Sequence, residues 1–307
     1  MNDAPAGQPA GDVEVPFEEI EAALGRTRAH EGKRVPALAL TATVVVVGPP
    51  ERLADAAEAL TQLTDIGIRA ILISHGDTTT PVVRVSEHVV TLEGLTPHYL
   101  NNAVAALRLS SLPTLVWWRG GPPELLDGLA DLADRLVLDA DDPLPVWEHV
   151  GKIAERSATS DLRWTRLTKW RALLAQFWDI PEVRAAAPGF TRLRIEGSDR
   201  HAARLYAAWL VSTLQWTPAT LDLQEREGGA AIEAVELGDG EQALTLRAAP
   251  GGTCIETAAR VRGHAGEVSR ILSLGDQGLS ALIAEELRIR SRDLAFERAV
   301  AAVGGIA

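Results

Sequence analysis

The strongest constraint on the fold is a strand-length apolar run repeatedly cut by Gly/Pro turns and followed by helical spacing. Leu38 to Val47 is rich in β-branched residues and stops at Gly48-Pro49-Pro50. Such a run reads as a buried strand ending in a turn. Pro50 then opens a helix whose apolar residues are Leu53, Ala56, Ala57, Leu60 and Leu63. Gly67 leads into a second strand, Ile68 to Ser74, and residues 75–80 read as a polar loop carrying His75 and Asp77. Val82 to Val85 and His88 to Leu92 read as further strands. Thr96-Pro97 is a helix start, with Thr as N-cap and Pro at the first helical position; that helix should run to about Leu109. Leu112 to Trp118 is another strand, stopped by Gly120-Gly121-Pro122-Pro123, with a helix to about Ala133 and a last strand from Arg135 to Leu138. Strands alternating with helices in this way imply βαβ units and a mostly parallel sheet. The first half is therefore expected to be a Rossmann-like α/β domain.

The chain has 307 residues, which suggests about two domains. Residues 1–15 are acidic and rich in Ala, Gly and Pro, and read as a disordered tail. Residues 16–155 are the expected α/β domain, opening with a short helix over 16–29. Residues 156–185 read as a connecting helix, and residues 186–307 as an α+β domain. In this last part Phe190 to Glu196 is a strand, and Ser198 or Asp199 caps a helix to about Gln215. Residues 219–226, 230–237, 242–248, 253–262 and 266–273 read as strands of a largely antiparallel sheet, separated by glycine-rich turns. Gly278 onward reads as helix.

Several functions are disfavoured by the residues themselves. No apolar run approaches the roughly 18 residues of a membrane span, and the N-terminus has no signal-peptide core. The formal charge of -12 argues against a general nucleic-acid binder, whose affinity rests on neutralising phosphates. A single cysteine, Cys254, forbids an intrachain disulfide and, with the missing signal, points to the cytoplasm. There is no GxGxxG, no GxSxG elbow, no HExxH and no complete phosphate-binding loop, and the seven histidines are scattered. These absences name no catalytic residue, no cofactor and no metal. Asp139-Ala140-Asp141-Asp142 reads as a solvated acidic loop, since a calcium loop needs more ligands at fixed spacing.

The candidate site lies in the tryptophans. All eight fall between Trp117 and Trp216. In a strand Trp117 and Trp118 point to opposite faces, and Arg119 follows at the C-terminal end, where open α/β sheets place ligand crevices. Two core tryptophans beneath a Gly-Pro turn explain the run equally well. The stretch Asp161 to Trp178 reads as one helix with Ser160 or Asp161 as its cap. At 100° per residue from Arg163, the side chains of Trp164, Leu167, Trp170, Leu174, Phe177 and Trp178 fall between roughly -40° and +100°. Arg163, Arg166 and Arg171 fall on the same side. Buried arginine needs a carboxylate or an aromatic face. Three readings stay open: pairing with acids of this chain such as Asp134, Asp139 or Asp141; a protein interface, since Trp and Arg are enriched in binding hot spots; or an anion clamp.

The chain resembles the glucose-6-phosphate dehydrogenase assembly protein family, OpcA. The resemblance rests on Leu112-Pro-Thr-Leu-Val-Trp-Trp-Arg-Gly-Gly-Pro-Pro123, on Ala133-Asp-Arg-Leu-Val-Leu-Asp139 and on Asp161-Leu-Arg-Trp-Thr-Arg-Leu-Thr-Lys-Trp-Arg171. It continues through Leu174-Ala-Gln-Phe177 and Ala203-Arg-Leu-Tyr-Ala-Ala-Trp-Leu210, and covers about residues 86–216. It implies a non-catalytic protein that helps glucose-6-phosphate dehydrogenase reach or keep its active oligomer, in the pathway that supplies NADPH. The expected partner contacts are Trp117, Trp118, Arg119, Arg163, Trp164, Arg166, Trp170 and Arg171. The family pattern carries a cysteine near 80–90, where this chain has Val85 and Ser86, so thiol control is not carried over. The alternative reading is a sugar-phosphate sensor or an enzyme using the α/β crevice near Gly48, His75 and Arg119.

Overall fold

The computed structural model describes residues 13–30, 39–78, 80–86, 89–262 and 268–306. The expected tail over 1–12, and the expected strand residues Leu38, His88 and 266–267, lie outside the described residues. The chain forms two compact units, Met1–Thr159 with Glu286–Arg292, and Ser160–Glu285 with Asp293–Ala307.

In chain order the first unit contains β1 (Val13–Glu14), α1 (Ile20–His30), β2 (Ala42–Gly48), α2 (Leu53–Thr61), β3 (Ile68–Thr78), β4 (Val82–Ser86) and β5 (Val89–Leu95). It continues with α3 (Leu100–Leu107), β6 (Thr114–Trp118), α4 (Leu126–Ala130), β7 (Arg135–Leu138), α5 (Leu144–Trp147) and α6 (Val150–Ile153), and passes into β8 (Ala158–Asp161). The eight strands form one sheet in the order β1-β4-β5-β3-β2-β6-β7-β8. β2 lies parallel to β3 from Ala42 opposite Ile68 to Gly48 opposite Ser74, and parallel to β6 from Thr43 opposite Thr114 to Val47 opposite Trp118. Every residue of β2 is buried. That is why its sequence is continuously apolar: both faces of a parallel strand are covered. At one side of the sheet β5 pairs antiparallel with β4, and β4 antiparallel with the edge strand β1.

The unit departs from expectation where tertiary partners outrank local signals. Val13 and Glu14, placed in the tail by composition, pair with Val85 and Arg84. Residues 75–78, expected as loop, continue β3, which shifts register after Ile73 to keep pairing with Leu95. His75 is therefore held on a strand. The Thr96 hydroxyl does not cap its helix; it donates to the Thr78 carbonyl at 2.8 Å. Pro50, Pro97 and Pro123 each open a tight 3-10 turn before the α-helix proper.

The second unit contains α7 (Leu162–Arg166), α8 (Thr168–Gln176), α9 (Pro181–Ala186), β9 (Arg192–Gly197), α10 (Arg200–Leu214) and β10 (Thr220–Glu225). β11 (Ala234–Gly238), β12 (Ala243–Ala248), β13 (Cys254–Arg260) and β14 (Val268–Ser273) follow, then α11 (Leu279–Arg288) and α12 (Leu294–Ala302). Its sheet runs β10-β9-β11-β12-β13-β14. All neighbours are antiparallel except β9 and β10, which are parallel and joined by the α10 crossover. Leu193, Ile195, Val235, Leu237, Leu244 and Leu246 are buried, while Arg194 is exposed and Glu236 and Thr245 are half-buried between them. That alternation is the signature of a sheet covered on one side.

The helix expected from Asp161 to Trp178 is two helices and a 3-10 turn, and both helices belong to the second unit. The break falls at Leu167, where ψ opens to -6°. Here the Trp164 carbonyl accepts the Leu167 N–H at 3.1 Å and the Arg171 guanidinium at 3.3 Å. A side chain entering the hydrogen-bond ladder is a recognised cause of such kinks.

Candidate functional site

Two clusters gather the residues singled out by sequence, one in each unit. In the first unit the chain direction across the sheet reverses at β2. The β2–α2–β3 crossover leads to one side, and β6 returns on the other. Open α/β sheets bind ligands outside the strand C-termini at such a reversal. Here that place is filled from within. Arg119 follows β6 and is 4% exposed. Its Nε donates to Asp139 Oδ2 at 2.9 Å, and its Nη2 to Asp55 Oδ2 at 3.1 Å. Asp139, immediately after β7, also accepts from Arg52 Nη2 at 3.2 Å and Trp117 Nε1 at 3.3 Å. The Arg119 guanidinium lies 4.7 Å from the centre of the Trp117 ring. Burial alone would raise the Asp55 carboxyl, but the hydrogen bond and charge of Arg119 outweigh it and hold it below the usual carboxylate range.

Glycine makes this packing possible. A Cβ at Gly48 would stand 3.0 Å from the Arg119 Cβ. Gly121, at φ +128°, lies so close to His75 that a Cβ would meet its Nε2 at 2.3 Å. His75 Nε2 is 3.2 Å from the Gly120 carbonyl, and its ring centre is 5.9 Å from that of Trp118. Burial pushes the imidazole below its ordinary pKa, which favours the neutral tautomer with Nε2–H donating to that carbonyl.

In the second unit, Asp161-Leu-Arg-Trp164 works residue by residue. Asp161 caps α7 by accepting the Arg163 N–H at 2.8 Å. Leu162 is fully buried. Arg163 Nε donates to Asp199 Oδ2 at 2.9 Å, while Asp199 Oδ1 caps α10 through the N–H groups of His201 and Ala202. Trp164 Nε1 donates to Asp293 Oδ2 at 2.7 Å, while Asp293 Oδ1 caps α12 through those of Ala295 and Phe296. α7 thus fixes the caps of two later helices with consecutive side chains. The Arg171 guanidinium covers the Trp164 ring at 3.5 Å, and desolvation lowers its pKa to about 10. The Tyr206 hydroxyl, its pKa raised by burial, donates to the Trp170 carbonyl at 3.1 Å.

Of the eight expected contact residues, Trp117, Trp118, Arg119, Trp164 and Trp170 are buried, and Arg163, Arg166 and Arg171 are half-buried. No tryptophan of the chain is exposed. The acids expected to pair with the arginines of the central helix were Asp134, Asp139 and Asp141. Instead Arg163 takes Asp199 and Arg171 takes a ring. Asp139 and Asp141 belong to Arg119 and Arg52. Arg166 has no hydrogen bond or ion pair among the described residues. Sequence reasoning missed Arg52, Asp55 and Asp293 as cluster members. Asp293 carried a legible signal, an aspartate directly before the apolar start of a helix; Asp55 carried none.

The fold is that of a two-unit α/β protein similar to a 3-ketoreductase. The 3-ketoreductase KijD10 of Actinomadura kijaniata, solved with NADP and TDP-benzene, superposes with a TM-score of 0.54 over 87% of this chain and 97% of that one, at 11% identity. An open conformation of the same enzyme gives 0.51 at 12% identity. At that identity the likeness establishes the fold alone. Residues 157–300 match the family described as the C-terminal domain of a glucose-6-phosphate dehydrogenase subunit. An OxPP cycle protein OpcA of Synechocystis sp. is 27% identical over 66% of this chain and 52% of its own. Its counterpart in Nostoc punctiforme is 25% identical over 67% and 54%. The chain is similar to these OpcA proteins, and spans about half the length of the curated relatives it matches. No helix among the described residues is long and apolar enough to cross a membrane.

Proposed function

We propose that the protein is a non-catalytic assembly factor or allosteric activator of glucose-6-phosphate dehydrogenase, supporting that enzyme's active oligomer in the cytoplasm. The observation that carries this reading is the family match over residues 157–300, which includes the cap-locking helices α7 and α10 and most of α12. Such a protein acts only through differential affinity for the enzyme's states. A rigid binding surface suits that role, because little ordering entropy is then lost on association.

Within this reading the half-buried Arg163, Arg166 and Arg171 contribute the contacts of the expected face. Arg166 is foremost because its guanidinium is uncommitted. The buried tryptophans and Arg119 hold the scaffold. The reading is tested by titrating the purified protein into the dehydrogenase of the same organism while following activity and oligomer mass. An increase in active oligomer supports it, and Arg166→Ala should weaken the effect at unchanged melting temperature. Absence of binding and of any change in activity or mass refutes it.

The sugar-phosphate or enzyme alternative needs a free cation or amide cradle in the α/β crevice. Arg119 is engaged there by Asp55 and Asp139. The residues also do not fit a dinucleotide. The turn after β2 is Gly48-Pro49-Pro50-Glu51, with two prolines that lack the N–H groups a phosphate needs.

A further inference from the structure

Large apolar side chains left at the surface gather in one place. Val13, Phe17, Val82 and Tyr99 are four of the seven exposed among the described residues, and all four belong to the β1–β4 edge of the first unit and the segments beside it. Phe17, Val82 and Tyr99 line an open groove of about 840 Å³. Its floor includes Leu92 and Leu95, which are buried, and its far wall includes Ala103 of α3. Among the described residues two charged side chains line it, Glu14 and Glu18, both exposed, and no cation does.

That composition excludes several occupants. A phosphate or carboxylate ligand would meet two like charges and no partner. A polar small molecule would find few convergent donors, which such sites use to fix orientation. An apolar groove with acidic lips fits an amphipathic segment, its apolar face on Phe17, Val82 and Tyr99 and its basic side chains against Glu14 and Glu18.

We propose that this groove is a docking site for an apolar, basic-flanked segment of the protein partner. The inference rests on the reading above, that the partner is the dehydrogenase, and adds a contact surface distinct from the Arg166 face. Complementary charge at the lips would speed association and make it salt-dependent, while the buried apolar contact would set the lifetime of the complex.

The test measures binding of the full chain to the dehydrogenase by biolayer interferometry at two salt concentrations, with melting temperature as a control. Val82→Glu and Tyr99→Glu are each expected to weaken binding at least tenfold. Glu14→Lys with Glu18→Lys is expected to slow association and flatten its salt dependence. If the wild type binds and the two apolar-to-Glu variants bind within twofold of it, the groove is overturned and the assembly reading stands. If the wild type does not bind, the assembly reading fails and takes this contact with it. If either variant melts early, hydrogen exchange on the wild-type complex replaces it. Protection of residues 13–18 and 82–95 supports the groove, and its absence overturns it. A wild-type dimer abolished by Val82→Glu would also overturn the proposal, assigning the groove to a second copy.

Discussion

Replacing Arg119 by Met tests whether the filled crevice is a structural lock. The change keeps most of the apolar stem and deletes the guanidinium. Four interactions are lost: the bonds to Asp139, to Asp55 and to the Arg52 carbonyl, and the cation over Trp117. Removing one partner of a buried ion pair costs about 3–5 kcal/mol, because the other charge is left buried. Asp139 is 7% exposed, but it keeps Arg52 and the Trp117 N–H. The Asp55 side chain is 53% exposed and can turn to water, so its share is discounted to below about 1 kcal/mol. The expected loss therefore sits near the lower limit, about 3 kcal/mol. For a unit of this size that is roughly a 6–12 °C fall in melting temperature.

The assay must resolve the units, since two units need not unfold as one transition. Amide exchange in β2, β6 and β7 should accelerate by about two orders of magnitude, as 1.4 kcal/mol per tenfold requires. Exchange in α10 and α12 should be unchanged. The double variant Arg119→Met with Asp139→Leu should recover much of the loss, because an ion pair replaced whole by apolar groups is often neutral. A loss below about 1 kcal/mol for Arg119→Met would refute the lock. So would a double variant no more stable than the single.

Asp293→Ala should cost the second unit about 2–4 kcal/mol by urea unfolding, losing a helix cap and leaving the Trp164 ring N–H unpaired; Asp293→Asn should cost less than half of that. Gly121→Ala should destabilise the first unit by about 2 kcal/mol or more, since it adds a Cβ at positive φ against His75; an unchanged melting temperature would contradict the packing. Stability of the first unit should fall as pH drops below 6.5, the ordinary histidine value. There the unfolded state binds a proton that buried His75 does not, so ν of the unfolded state exceeds that of the native state. His75→Gln should flatten that part of the pH profile, which urea titrations from pH 7.5 to 5 would register.

What could be read from sequence was what local periodicity determines. β2 was legible because a strand buried on both faces must be apolar throughout, and the caps were legible to within one residue, as Ser160 or Asp161 and Ser198 or Asp199, because a cap's bonds reach only two or three residues onward. The partners were not. Arg163 meets Asp199 across 36 positions and Trp164 meets Asp293 across 129, and no period links such residues. A helical wheel correctly put Trp164 and Arg171 on one side, yet the wheel cannot show that the ring N–H and the guanidinium are spent inside the unit. The same limit hid Asp55, which is an ordinary acidic residue of a helix's first turn until Arg119 arrives from 64 positions away.

The likeness to an NADP-bound reductase turns these local facts into a choice between functions. A shared fold leaves the crevice at the strand ends available in principle. A dinucleotide needs that crevice to offer open backbone N–H groups and space against the first strand. In this chain the turn offers Pro49 and Pro50, and Arg119 packs against Gly48, where a pyrophosphate would have to approach. Asp55, held ionised, adds a negative charge in the first turn of α2. Entry of a nucleotide would require breaking the Arg119 bonds, at a cost near the 3 kcal/mol argued above, a reduction in affinity of more than a hundredfold. Millimolar NADP should therefore leave the melting temperature unmoved, whereas a ligand present at a hundred times its Kd stabilises by about 2.7 kcal/mol and would raise it by several degrees. A clear shift with NADP that disappears in Arg119→Met would show the guanidinium to be a ligand and not a lock, and would return the protein to the enzymes whose fold it shares.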